Sequence, residues 1–199
     1  MLVFWKERLV YLATPKTGST AIETALEPLA SVVIQRPPEL KHTPAQRYRR
    51  FIAPFLSQSA GEDFTVVALM REPIDWLGSW YRYRQRDGMR NPEHSTRGLT
   101  FDGFVEGYLR PDPPAFARVG SQRPFLCPPG EAPVDLIFRY EEIDRFVRFL
   151  EDRLDCEITL PRLMVSPPGA TDLSPDLELR LKARLAEDIA LYRSLGAAE

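Results

Sequence analysis

Unbroken apolar stretches alternate along this chain with stretches in which apolar residues recur every three or four positions. Leu9-Val10-Tyr11-Leu12-Ala13, Thr65-Val66-Val67-Ala68-Leu69-Met70 and Val134 to Phe138 are of the first kind. They are short and rich in β-branched or aromatic residues, as strands covered on both faces must be. They predict strands near 9–14, 65–70 and 134–138, with a weaker one near 31–35. The second kind predicts helices over 19–29, 44–58, 73–86, 141–154 and 174–194. Trp76, Leu77, Trp80 and Tyr81 mark the buried stripe of the third helix, and Leu177, Leu181, Leu185, Ile189 and Tyr192 that of the last. Strand and helix in alternation predict an α/β fold of three layers, a central, mainly parallel sheet flanked by helices on both faces.

At 199 residues, 44% of them hydrophobic, the chain reads as a single domain over 1–199 with one packed core. Between about residues 87 and 133 the periodicity fades, apart from a short helix from Phe101 to Leu109, and prolines gather (Pro111, Pro113, Pro114, Pro128, Pro129). Long irregular segments inside compact domains are usually functional or disordered, and this one is expected to form the acceptor-side wall or lid of a binding cleft.

The chemistry concentrates where the first strand ends. Thr14-Pro15-Lys16-Thr17-Gly18-Ser19-Thr20 runs from that strand into a helix N-terminus. Backbone N–H groups and the positive end of a helix dipole converge there on one point, surrounded by hydroxyls and a lysine, with Gly18 permitting a tight path. That is an anion site. It differs from the nucleotide triphosphatase loop G-x-x-x-x-G-K-[ST], because Lys16 precedes Gly18 and no glycine opens the loop.

A second segment complements it. Arg71-Glu72-Pro73 ends the 65–70 strand and starts a helix with proline in its first turn, and Ser79 lies two turns along. A guanidinium at a strand end and a hydroxyl on the following helix can hold one phosphate between them. Arg139, in Arg139-Tyr140-Glu141 at the end of the 134–138 strand, is a further candidate contact, or a salt-bridge partner of Glu141 or Glu142.

Pro15 to Thr20 resembles the 5′-phosphosulfate loop of sulfotransferases that use 3′-phosphoadenosine 5′-phosphosulfate, and Arg71-Glu72-Pro73 with Ser79 and Tyr81 resembles their 3′-phosphate segment. Gln122 to Leu126, Val134 to Glu141 and the C-terminal helix are similar to later parts of the bacterial and carbohydrate-type members. The resemblance implies a P-loop-like fold that binds this donor through Pro15, Lys16, Thr17, Gly18, Ser19, Thr20, Arg71, Ser79 and Arg139 and releases adenosine 3′,5′-bisphosphate. It implies transfer of a sulfuryl group to a hydroxyl of a carbohydrate or small metabolite. Pro161-Arg162-Leu163-Met164-Val165-Ser166-Pro167-Pro168-Gly169 departs from it, lacking the basic, glycine-containing nucleotide loop of many members.

Sulfuryl transfer builds negative charge on the departing phosphate oxygen, which Lys16 can neutralise. The acceptor hydroxyl needs a base, and of two histidines His42, in Lys41-His42-Thr43-Pro44-Ala45, falls between a strand and a helix on the same edge. An unperturbed pKa of about 6.5 suits that task; capping is its structural alternative. His94 and Glu72 are weaker candidates. No carboxylate pair suggests a metal, and none is expected. A kinase or nucleotide triphosphatase and a non-catalytic nucleotide-binding protein are the alternatives.

A formal net charge of −2 argues against nucleic-acid binding through bulk positive charge. Arg47-Tyr48-Arg49-Arg50 and the trio Arg82, Arg84 and Arg86 are local basic clusters, either solvated faces or supports for an anionic acceptor. Lys6, Glu7 and Arg8 interrupt the apolar N-terminus, so neither a signal peptide nor a membrane span is expected. Cys127 and Cys156, without metal-ligand spacing, suggest reduced thiols and a cytoplasmic protein.

Overall fold

The computed structural model describes residues 1–89, 91–163 and 170–195. Among these residues five strands, β1 (Leu2–Phe4), β2 (Leu9–Leu12), β3 (Val32–Val33), β4 (Thr65–Met70) and β5 (Leu136–Arg139), form one open sheet in the order β3-β1-β2-β4-β5. β2, β4 and β5 run parallel, with Leu12 opposite Ala68 and Met70 opposite Arg139. The fold is α/β, but the sheet is mixed rather than mainly parallel. The sequence pattern passes over β1, whose apolar run is cut short by Lys6-Glu7-Arg8. Those polar residues make the turn of a hairpin that pairs Val3 with Val10, and β3 adds to its far side, again antiparallel.

Period two explains why β2 and β4 are apolar throughout. Val10, Leu12, Val66, Ala68 and Met70 pack on one face with Tyr48, Leu56 and Leu126. Leu9, Tyr11, Val67 and Leu69 pack on the other with Ile22 and Leu26 of helix α1 (Ser19–Leu26) and Phe146 and Leu150 of a later helix, Ile143–Leu154. Helices therefore cover both faces.

The α1 helix is followed by a single turn, α2 (Pro38–Lys41), and by α3 (Ala45–Arg47), which a π-turn over Tyr48–Ile52 joins to α4 (Ala53–Ala60). Next come α5 (Pro73–Arg84), α6 (Phe101–Tyr108), α7 (Arg123–Leu126) and α8 (Ile143–Leu154). The expected C-terminal helix is broken at Leu185 into α9 (Pro175–Arg184) and α10 (Ala186–Ser194).

Part of the 87–133 stretch is packed helix. Phe101, Phe104, Val105 and Tyr108 of α6 interlock with Trp76, Leu77 and Tyr81 of α5 and Leu177, Leu181 and Leu185 along α9, in a cluster that contains no strand residue. Pro111, Pro113, Pro114, Pro128 and Pro129 lie in the connections between these packed turns. Among the described residues no helix is long and apolar enough to cross a membrane, and Cys127 and Cys156 do not pair.

Candidate functional site

Because β2 and β4 are parallel neighbours, the loops that leave their carboxyl ends lie side by side, where open α/β sheets bind ligands. Gly18, at φ 70°, caps α1 in the left-handed conformation. Thr17 is buried, its hydroxyl donating to the Thr14 carbonyl at 2.9 Å. Trp76 Nε1 donates to the Pro15 carbonyl at 2.9 Å, and Arg71 Nη1 to the Lys16 carbonyl at 3.2 Å. The loop is thus tied to α5 and to the end of β4; Ala21 and Ile22 donate to the Gly18 carbonyl, which leaves the N–H groups of Ser19 and Thr20 without a helical acceptor at the start of α1.

These loops border a cleft of about 760 Å³. Pro15, Lys16, Gly18, Ser19, Thr20, His42, Arg71 and Ser79 all line it; Thr17 supports the loop from beneath, and Arg139 is absent. Lys41, Arg82, Arg86 and Arg162 add cationic groups, and no Asp or Glu is among the described lining residues. In a chain of net charge −2, this concentrates positive potential at one place. Two carboxylates stand behind the lining. Asp75 accepts from Arg71 Nε at 2.6 Å and Arg82 Nη2 at 3.2 Å, and buried Glu23 pairs with Lys41 Nζ at 2.7 Å.

Lys16 carries the site's largest perturbation. Burial, followed by the fields of Arg86, Arg71, Arg82 and Arg84, pushes its pKa down to about 7. Its ammonium lies 3.9 Å from the ring centre of Tyr83 and 5.3 Å from that of Trp80, the aromatic faces substituting for an anion. Its backbone is left-handed at φ 66°, a conformation that costs a side-chain-bearing residue about 1 kcal/mol or more.

His42 Nδ1 lies 2.7 Å from the Ala13 carbonyl oxygen. A carbonyl only accepts, so Nδ1 carries the proton, and Nε2 is the basic nitrogen. Burial lowers its pKa below the ordinary histidine value, keeping that nitrogen unprotonated at neutral pH. Glu72 instead caps α5, accepting from the Asp75 N–H at 2.7 Å, and is not among the cleft residues. His94 lines a separate cavity of about 640 Å³ that shares Tyr83 and Arg86 with the cleft.

Of the two expectations for Arg139, the ion pair with Glu142 is the one present, and Arg139 is not among the residues lining the cleft; parity explains its placement. Phe138 packs on the α1/α8 side of the sheet and Ile137 on the opposite side. Arg139 follows Ile137. Its guanidinium donates to the Tyr192 and Arg193 carbonyls at the end of α10, both at 3.3 Å, and pairs with Glu142 at 3.4 Å. Tyr140, one residue on, turns to the cleft: its ring lies 4.8 Å beneath the Arg71 guanidinium carbon and against Gly18, where a Cβ would stand 3.1 Å from Cε2. Glycine is favoured at 18 both by φ and by this approach. Sequence reasoning passes over Tyr140, although the signal is the same alternation, read one residue further. Arg84 is also structural, donating to the Ala115 carbonyl at 2.8 Å. Trp76 and Tyr81 belong to the core, while Trp80 and Tyr83 reach the cleft. Leu160, Pro161, Arg162 and Leu163 also line it, whereas 164–169 of the segment noted for its missing glycine loop fall outside the described residues.

Compared with protein-family models, curated proteins and solved structures, the chain matches none.

Proposed function

We propose that the chain transfers the sulfuryl group of 3′-phosphoadenosine 5′-phosphosulfate to the hydroxyl of a carbohydrate or small-metabolite acceptor, on a P-loop-like core. One observation carries the reading: a strand–loop–helix anion site, a second guanidinium and hydroxyl at the next parallel strand, and an imidazole with a basic Nε2 border a single cleft free of carboxylates among its described residues. Pro15 to Thr20 would hold the 5′-phosphosulfate on the α1 N-terminus. Arg71 and Ser79 would take the 3′-phosphate, and the apolar wall of Tyr140, Ile143, Leu160 and Pro161 suits a planar base. Lys16, its charge suppressed by burial and then by neighbouring arginines, gains most when negative charge develops on the leaving oxygen. His42 Nε2 would accept the acceptor proton.

The test is a thermal-shift and calorimetric titration with adenosine 3′,5′-bisphosphate against ATP–Mg, followed by radiolabelled sulfuryl transfer to a panel of sugars and small alcohols. Stabilisation by the bisphosphate together with label transfer supports the reading. Stabilisation by ATP–Mg alone would point to phosphoryl chemistry, and bisphosphate binding without transfer to any acceptor would leave a non-catalytic binding protein.

A further inference from the structure

The turn that leads into His42 buries no residue, whereas Ala45 and Tyr48 beyond it belong to the core. Helix α2 is a single turn with no buried residue, and a helix so short has no stability of its own. Its polar ties are therefore decisive. Glu23, on the buried stripe of α1 with Ile22 and Leu26, is 1% exposed, and its carboxylate meets the Lys41 ammonium at 2.7 Å. Lys41 Nζ also donates to the Thr20 hydroxyl at 3.2 Å, on the first turn of α1. The other carboxylate oxygen accepts from the amino group of Met1 at 3.0 Å. The next residue, His42, reaches the Ala13 carbonyl.

A carboxylate this deeply buried carries a desolvation cost that its ion pair does little more than offset, and an apolar pair of equal volume is often as stable. Its contribution therefore lies in geometry. We propose that Glu23 is a positioning residue: by anchoring Lys41 against α1 it fixes the turn that aims His42 Nε2 into the cleft. The inference rests on His42 being the base of the proposed transfer.

Imidazole nitrogen shifts from NMR test it without recourse to activity. The chain has two histidines, so His94→Gln assigns the His42 signals. In the wild type His42 should show one protonated nitrogen, Nδ1, and one bare nitrogen, Nε2. In Glu23→Gln both signals should move to averaged values as the turn slips and the Ala13 bond is lost. kcat should fall roughly 10–100-fold, as displacement of a reacting group by about 1 Å does, while bisphosphate affinity stays within about threefold. Should the single variant fail to fold, Lys41→Met cuts the tie to the turn while leaving Glu23 paired with the Met1 amino group, and it should fold with averaged tautomers; a Lys41→Met that also fails to fold would show that the pair serves stability and would overturn the proposal. A His42 that keeps its single tautomer in either variant overturns it too. If the wild type transfers no sulfuryl group, the assignment of function fails while the tautomer result still decides the role of Glu23.

Discussion

Lys16 is where charge, strain and chemistry meet in one side chain. With a pKa pushed from 10.5 to about 7, it is largely neutral at pH 8 in the empty cleft, whereas a bound phosphate or sulfate favours the ammonium. Bisphosphate binding at pH 8 should therefore take up protons, seen as a dependence of the calorimetric enthalpy on the buffer's ionisation heat, and affinity should weaken as pH rises above 7. Lys16→Met should abolish the uptake. Folding stability follows the opposite trend: an unfolded lysine binds its proton up to its normal pKa, so this residue destabilises the native state increasingly as pH falls from 10.5 to 7. Lys16→Gly and Lys16→Ala should both lose turnover. The glycine variant should be the more stable by about 1 kcal/mol, because only glycine accepts φ 66° without strain. His42→Ala should cut kcat by roughly 10²–10⁴-fold with bisphosphate affinity retained. The acid limb of the wild-type rate should lie below the usual imidazole range, since burial lowers the pKa of the base, and the variant should lose that limb.

Secondary-structure elements decide which of the candidate side chains reach the cleft. The loop after β2 and the residue after β4 were legible because a buried parallel strand has a recognisable apolar run, and the residues that leave such a run emerge at the sheet's carboxyl edge. Which side of the sheet each residue takes was not legible for β5, since that requires knowing the layer against which Phe138 packs. Arg139 and Tyr140 exchange roles on that single parity. Arg139→Ala should accordingly leave bisphosphate affinity unchanged while lowering stability by about 1–2 kcal/mol, through the α10 carbonyls and Glu142 it holds. A large loss of affinity with unchanged melting temperature would return Arg139 to the site. In the 87–133 stretch α6 was legible from Phe101, Phe104, Val105 and Tyr108, but β1 and α7 escape the pattern for a related reason: three or four residues are too few to show a period, and such elements are recognised only through the partners they bury.

On the scale of the whole molecule, the two halves of the cleft are mounted on different foundations. The anion loop leaves β2, the middle strand of five, paired on both sides and covered on both faces. His42 leaves a one-turn helix that buries nothing. Local opening follows buried contact, so β2 and its loop should exchange amide hydrogen only on global unfolding, whereas 38–43 should exchange through small, frequent fluctuations. Heating should then separate two properties that are usually lost together. Turnover should decline several degrees below the temperature at which bisphosphate binding fails, and a chain warmed into that interval and cooled again should recover its full rate, because nothing in its core has opened.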